Sequence, residues 1–310
     1  SHRLFSSAFM KRHTAFGPAG TGAIYTVDDA HTPGSSAWSL LIDLNGLTVN
    51  TGAINTGVNP HQTSNYNLDA INANGNPFGA VGKVALGDMD ISADGRYLYV
   101  VSLNDKRLYR IEWDTDNNLA TNPTAADVTG YDIPDPGCTN GQPRPFGLGI
   151  NPSTGNVFVG VICDASSGTP SDLWSYVYEF DVNAQTFIAT PATDFSMNYE
   201  RGGLNGTCTT SDEWNPWKDN PVAADFDVCG CWVLPQPMLT DVVFDDDGSM
   251  ILGFSDRLGH QHAPGGLESY ANGSPLGCLR IGGDIVRICN VGNLVSPVYS
   301  QEVNGKCGTN

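Results

Sequence analysis

The sequence predicts an all-β fold: a β-propeller built of repeated three- to four-stranded antiparallel blades with long irregular loops. Three observations predict it. Gly87–Ser102 has the pattern strand, tight turn, strand, with Met89 and Ile91 alternating against Asp88 and Asp90 around an Ala93-Asp94-Gly95 turn. The pattern returns at Leu239–Phe254 and, more loosely, at Pro145–Val161. The composition is rich in turn residues, with 36 Gly and 19 Pro in 310 residues and only 15% charged, and no long segment carries apolar residues at helical spacing.

Taken in order, Ser1–Ala19 is mixed and basic, an extended arm or part of a strand. Gly22–Asp28 is a strand resembling Arg107–Glu112 and Trp174–Asp181, each the third strand of a unit, with Asp284–Ile288 in the same place in the last unit. On that reading the first blade lacks its inner strands. Ser39–Leu44 and Leu47–Val49 close the first unit, and the Asn- and Gly-rich stretch Thr51–Gly79 is a long surface loop. The approximate units are 20–50, 81–133, 143–190 and 237–298, with a Cys- and Trp-rich insertion at 194–235, all within one domain spanning 1–310 or a fragment of a longer chain. A small sheet leaves apolar faces that only a neighbouring blade covers, which is why such units pack radially.

The charge is −18 with a pI near 4.4. Phosphate backbones are repelled, so nucleic acid is excluded as a partner. No apolar run approaches about 18 residues, so the sequence predicts no membrane-spanning helix. The eight cysteines, Cys138, Cys163, Cys208, Cys229, Cys231, Cys278, Cys289 and Cys307, form an even set in loop-like contexts and predict disulfides and an oxidising compartment. Their pairing stays open, and Cys229 and Cys231 are too close for an easy mutual bridge. There is no C-x-x-C pair, H-E-x-x-H, C-x-x-C-H, P-loop, G-x-S-x-G elbow or kinase set, so neither haem nor a nucleotide cofactor is expected.

Several stretches together resemble the N-terminal propeller-like region of secreted bacterial surface proteins, those carrying SdrD-like B domains or other adhesin modules. They are Ala80–Val84, Gly87–Ser92, Leu98–Asp105, Arg144–Leu148, Val159–Cys163, Tyr176–Asp181, Trp214–Trp217, Gln236–Asp241 and, most strongly, Asp247–Gln261. The resemblance covers about Gly22 to Ile288. It implies a secreted or cell-surface protein and transfers no catalytic residues.

Asp88 and Asp241 occupy equivalent places at the start of innermost strands, which in a propeller face the channel mouth; Gly147 takes that place in the third unit. Two carboxylates there are candidate ligands for Ca²⁺, or caps that accept backbone N–H bonds. Asp256, Arg257, His260 and His262 form the densest polar cluster, able to do acid–base work or bind a metal, or to fix a loop through an Asp256–Arg257 ion pair. Trp214 and Trp217 place flat aromatic faces that suit a sugar ring or a protein, or build a satellite core stapled by Cys208, Cys229 and Cys231. Asn205-Gly206-Thr207 is a glycosylation sequon.

These features favour a non-catalytic extracellular module for adhesion, matrix or filament assembly. Its expected partners are a protein or carbohydrate at the cell surface, or further copies of itself. The alternative is a Ca²⁺-dependent propeller hydrolase or lactonase at the channel mouth.

Overall fold

The computed structural model describes residues 3–27, 37–61, 77–113, 122–199, 201, 213–228, 232–262, 279–294, 297–302 and 306–307. The protein is all-β, and its principal sheets are antiparallel and follow one another along the chain as propeller blades. Sheet 1 holds β1 (Leu4–Ser7), β2 (Ala23–Val27) and β3 (Ser39–Asp43). A small hairpin, β4 (Thr48–Val49) with β5 (Gly52–Ala53), and a one-turn helix, α1 (Pro77–Ala80), lead to sheet 2. Sheet 2 is β6 (Leu86–Ile91), β7 (Tyr97–Ser102), β8 (Arg107–Glu112) and β9 (Val128–Asp132). Sheet 3 is β10 (Pro143–Ile150), β11 (Val157–Cys163), β12 (Trp174–Asp181) and β13 (Thr186–Phe187), with β14 (Thr193–Ser196) also paired to β12. The hairpin β15 (Asp227–Val228) with β16 (Trp232–Val233) precedes sheet 4. That sheet is β17 (Pro237–Phe244), β18 (Met250–Asp256), β19 (Asp284–Asn290) and β20 (Tyr299–Gln301), with the one-turn helix α2 (Leu258–Gln261) between β18 and β19.

The three repeated hairpins are each closed by a backbone hydrogen bond across the turn, which in sheet 4 is one residue shorter. Ser92 N–H donates to Tyr97 O, Asn151 N–H to Asn156 O and Asp245 N–H to Ser249 O. Gly95, Gly155 and Gly248 each take a φ between 75 and 79° within those turns, the left-handed region that favours glycine. The inner strand bulges at one place in all three sheets, between Leu86 and Met89, Pro145 and Leu148, and Leu239 and Asp241. This register makes Asp88, Gly147 and Asp241 equivalent.

Sheet 1 differs. Leu86 N–H donates to Ala8 O, and Phe9 bridges to Ala85, so β1 ends where β6 begins. That is the direction of β7, a second strand, not of β6. β1 therefore supplies a second strand, β2 holds the third-strand place, and no described strand pairs with the other edge of β1.

The core sits between sheets. Ile24 and Ile42 meet Leu98 and Val100; Val101 and Leu108 meet Leu148 and Val159; Phe158 and Val177 meet Leu239, Val242 and Leu252. All seven residues of β11 are buried, because sheet 3 is covered on both faces. Fully burying one such side chain is worth about 1.5–3 kcal/mol. β10 approaches β17 closely at glycines: a Cβ on Gly149 would overlap the carbonyl oxygen of Val242, and one on Gly147 would lie 2.6 Å from Asp241 N.

Three boundaries shift. The third unit continues through β14, and the fourth through β20. The ends of the expected 51–79 loop are not superficial, since Ile54, Thr56 and Phe78 are buried, the last beneath His262 and Arg12. Cys138 pairs with Cys163 and Cys289 with Cys307. Cys208, Cys229, Cys231 and Cys278, and the sequon at Asn205, lie outside the described residues.

Candidate functional site

The bulge of β6 turns Asp88 towards β10. Its Oδ1 accepts the N–H of Met89 at 2.9 Å and its Oδ2 the N–H of Leu148 at 3.0 Å. Burial pushes its pKa up to about 7; the two N–H bonds oppose that rise, and the charges of Asp241 and Asp90 add to it. Asp241 and Asp90 are also raised, each chiefly by burial. The structure thus brings the two sequence-predicted carboxylates within electrostatic range, adds Asp90, and spends both oxygens of Asp88 on backbone. Among the described residues no three His, Cys, Asp or Glu side chains are grouped to hold a metal ion.

The cluster after β18 is organised by Arg257, which is fully buried. Its Nε donates to Val81 O at 2.9 Å, Nη1 to Lys218 O at 2.9 Å and to Gln236 Oε1 at 3.1 Å, and Nη2 to Gly79 O at 2.8 Å and to Asp219 Oδ1 at 3.0 Å. The guanidinium carbon lies 4.5 Å from the centre of the Trp217 ring. Burial lowers its pKa to about 10, which leaves it charged at neutral pH. Lys83 shares Asp219 at 2.7 Å, and burial followed by the charge of Arg257 pulls Lys83 down to about 8.

Asp256 is not the partner of Arg257. Its Oδ1 accepts the N–H groups of Gln236 and Leu258 at 3.1 and 2.9 Å, and its Oδ2 that of Gly282 at 3.4 Å. Burial pushes it up to about 7. The expected Asp256–Arg257 ion pair is therefore replaced by Asp219–Arg257. β18 ends at Asp256, and Arg257 takes a helical backbone conformation at the start of α2, so the two side chains go to different partners.

Trp214 and Trp217 are 1% and 2% exposed, which withdraws both rings from any sugar or partner. Trp214 joins the core between sheets 3 and 4. The Nε1 of Trp217 donates to Pro237 O at 2.7 Å while Arg257 and Arg144 lie against its ring. The cations that sequence alone cannot place are what cover it.

His260 and His262 part company. Both ring nitrogens of His262 are buried without a hydrogen-bond partner, its ring set edge-on to Phe78, and burial lowers it to about 3 with Arg12 and His13 adding to the effect. His260 Nε2 lies 3.1 Å from Ser255 Oγ, and the pair lines a groove with Asp256, Gly259, Ile281 and Gly282. This serine–histidine contact was not legible in the sequence, because a strand end and a one-turn helix place it. Its electrostatics oppose nucleophilic catalysis. Burial, then the charges of Lys11 and His13, lower His260 to about 4, which disfavours the imidazolium that must form when a serine proton is taken. Lys83 and Asp219 were also missed, since 136 residues separate them.

No protein-family model matches the chain. Colossin-A of Dictyostelium discoideum is 27% identical over 314 residues, covering 99% of this chain and 2% of colossin-A. Colossin-D of the same organism is 27% identical over 259 residues, covering 83% of this chain and 24% of its own length, and colossin-B is 28% identical over 273 residues, covering 84% and 6%. The chain thus spans a quarter or less of each of these relatives. Among solved structures, an endo-1,4-beta-xylanase from Bacteroides thetaiotaomicron gives a TM-score of 0.37 at 10% identity, covering 91% of this chain and 71% of that one. A periplasmic gluconolactonase from Pseudomonas aeruginosa gives 0.31 at 10% identity, covering 86% and 52%. Likenesses this slight carry no argument about activity.

Proposed function

We propose that this chain is a non-catalytic propeller module of an extracellular or cell-surface protein that serves adhesion or assembly. One observation carries the reading: the polar side chains that looked most like a site are spent on the fold. Asp88 and Asp256 accept backbone N–H groups, and Arg257 donates to carbonyls, Gln236 and Asp219. The disulfides Cys138–Cys163 and Cys289–Cys307 support an oxidising compartment. The colossins, in which a similar stretch is a small part of a longer protein, support a module.

A second reading keeps one specific support. Asp88 and Asp90 on β6 and Asp241 on β17 lie within electrostatic range, and beyond the effect of burial the charges of Asp241 and Asp90 raise the proton affinity of Asp88, a repulsion that Ca²⁺ would relieve in a calcium-dependent hydrolase or lactonase. One experiment tests both readings. The purified chain is assayed against lactones, esters and aryl glycosides with calcium and with a chelator. The module reading expects no turnover in either condition. Calcium-dependent turnover lost in Asp88→Asn overturns it.

A further inference from the structure

We propose that the loop joining β1 to β2, residues 8–22, is an acid-sensitive strap: at neutral pH it closes over α1 and α2, and proton uptake by the histidines at its contacts lifts residues 9–16 while the sheets stay folded. The strap is anchored at its ends. Where it leaves β1, Ala8 N–H donates to Ala23 O and Leu86 N–H to Ala8 O. Gly17 and Gly20, with φ of 90 and 86°, turn it back towards β2, and Ala19 N–H donates to the Tyr25 hydroxyl at 2.9 Å. Between these anchors Met10 and Phe16 are buried with Ala80, Val81 and Ala85. Arg12 N–H donates to His260 O at 3.0 Å and its Nη1 to Gln261 O at 3.3 Å. The β1–β2 ladder runs from Leu4–Val27 to Ser7–Ile24 and uses none of residues 9–16.

Four of the six histidines meet this strap, which singles it out in a chain so acidic. His13 lies on it. His61 sets its Nε2 3.1 Å from Lys11 O and its ring against Phe16. His260 packs edge-on to Phe9, and His262 edge-on to the Phe78 ring that Arg12 covers. Nδ1 of His13 and both ring nitrogens of His262 are buried without a hydrogen-bond partner among the described residues. Such atoms are rare in a core and call for a reason beyond packing. The backbone below is strained as well: Ala85, which bridges to Phe9, is buried with a φ of 74°. Alanine holds that left-handed conformation only where its surroundings impose it, as in switch regions.

The charges that face these histidines are cationic. Lys11, Arg12 and His61 face His13; Lys11 and His13 face His260; Arg12 and His13 face His262. α1 brings Phe78 and no charge. Arg257, at the start of α2, is turned to Gly79, Val81, Lys218 and Asp219. Asp256 borders the groove beside His260, but its oxygens accept three backbone N–H groups and, pushed up to about 7, it is neutral in mild acid. Burial and the cations lower His260 to about 4 and His262 to about 3, and lower His13. The closed strap thus keeps these rings neutral, and an open one lets them titrate near the ordinary 6.5, so protons favour the open form as pH falls below that value. Each imidazole so released favours opening by about 30-fold at pH 5 over neutral pH, and His260 with His262 by about a thousandfold.

Hydrogen exchange read by mass spectrometry at pH 7.5 and pH 5, corrected for the intrinsic rate, tests this on the whole chain. Peptides covering 9–16 and 258–262 are expected to lose most of their protection at pH 5, while those covering β11 and β12 keep theirs. His262→Phe is expected to reduce that loss by about 30-fold, and His260→Gln/His262→Phe to remove most of it. Should the double variant fail to fold at pH 7.5, His262→Phe alone carries the test, its ring keeping its place beside Phe78. Strap peptides equally protected at both pH values, protection lost in all four sheets together, or a His262→Phe variant that opens like the wild type overturns the proposal.

Discussion

The carboxylate of Asp88, on the inner strand of sheet 2, accepts the backbone N–H of Leu148, on the inner strand of sheet 3, at 3.0 Å. One side chain thereby joins two sheets at the bulges they share. Its folded pKa of about 7 lies above the ordinary 3.8. The folded state therefore binds this proton more tightly, and the stability it contributes is complete below the ordinary value and lost as pH rises through about 7. Asp88→Asn removes that titration. The difference in melting temperature between variant and wild type is expected to favour the variant more at pH 9 than at pH 5, measured by circular dichroism melts.

Arg257 is expected to tolerate no replacement. Arg257→Met deletes the guanidinium bonds to the carbonyls of Gly79, Val81 and Lys218 and leaves Asp219 with Lys83 in place of two cations. The expected loss comes from the buried hydrogen bonds to the charged guanidinium, each worth about 1.5–3 kcal/mol. Urea unfolding midpoints check this. Arg257→Lys restores little, because an ammonium cannot span the same fork of acceptors.

Gly149→Ala tests how closely sheets 3 and 4 approach. The new methyl meets the carbonyl oxygen of Val242, which is backbone and cannot swing aside. The expected loss is about 1–3 kcal/mol, the usual cost of overpacking. Gly155→Ala serves as a contrast: open space surrounds that position, and only its positive φ of 76° opposes the change.

His262→Phe keeps the ring beside Phe78 and deletes two buried nitrogens without partners. The wild-type group has a folded value near 3 against an ordinary 6.5. Its neutral form contributes stability that is complete above pH 6.5 and lost as pH falls towards 3. The groups that face it electrostatically, Arg12 and His13, are cationic or become so and reinforce that loss. The stability of the variant relative to wild type is expected to grow between pH 7 and pH 4, read from denaturant midpoints at each pH.

Local chemistry made much of the fold legible. Asp-Gly and Thr-Gly turns between β-forming runs marked the hairpins of sheets 2 to 4, and the likeness of Gly22–Asp28 to Arg107–Glu112 marked a third strand. Leu4–Ser7 gave little sign of β1, because two serines interrupt a four-residue strand whose partner begins 16 residues after it ends. The polar hub was illegible for a different reason. Lys83, Asp219 and Arg257 are each ordinary surface residues by type, and their meeting depends on three connections between sheets arriving at one place. Trp214 and Trp217 left two places open, an exposed face or a core, and the sequence could not say that Trp214 joins the core between sheets 3 and 4 because that depends on strands brought from elsewhere in the chain.

The reach of Arg257 sets an order of events. Its guanidinium closes on Gly79 and Val81, which lie just ahead of sheet 2, yet it stands at the end of β18, 176 residues later along the chain from Val81. As the polypeptide emerges from a ribosome, sheets 2 and 3 can form their ladders while Lys83 and Trp217 still wait for the cation that completes their surroundings. The last sheet to appear thus locks the entrance of one of the first. Folding of this chain is expected to be slow to commit and abrupt when it does, in keeping with stabilising contacts that span most of its length.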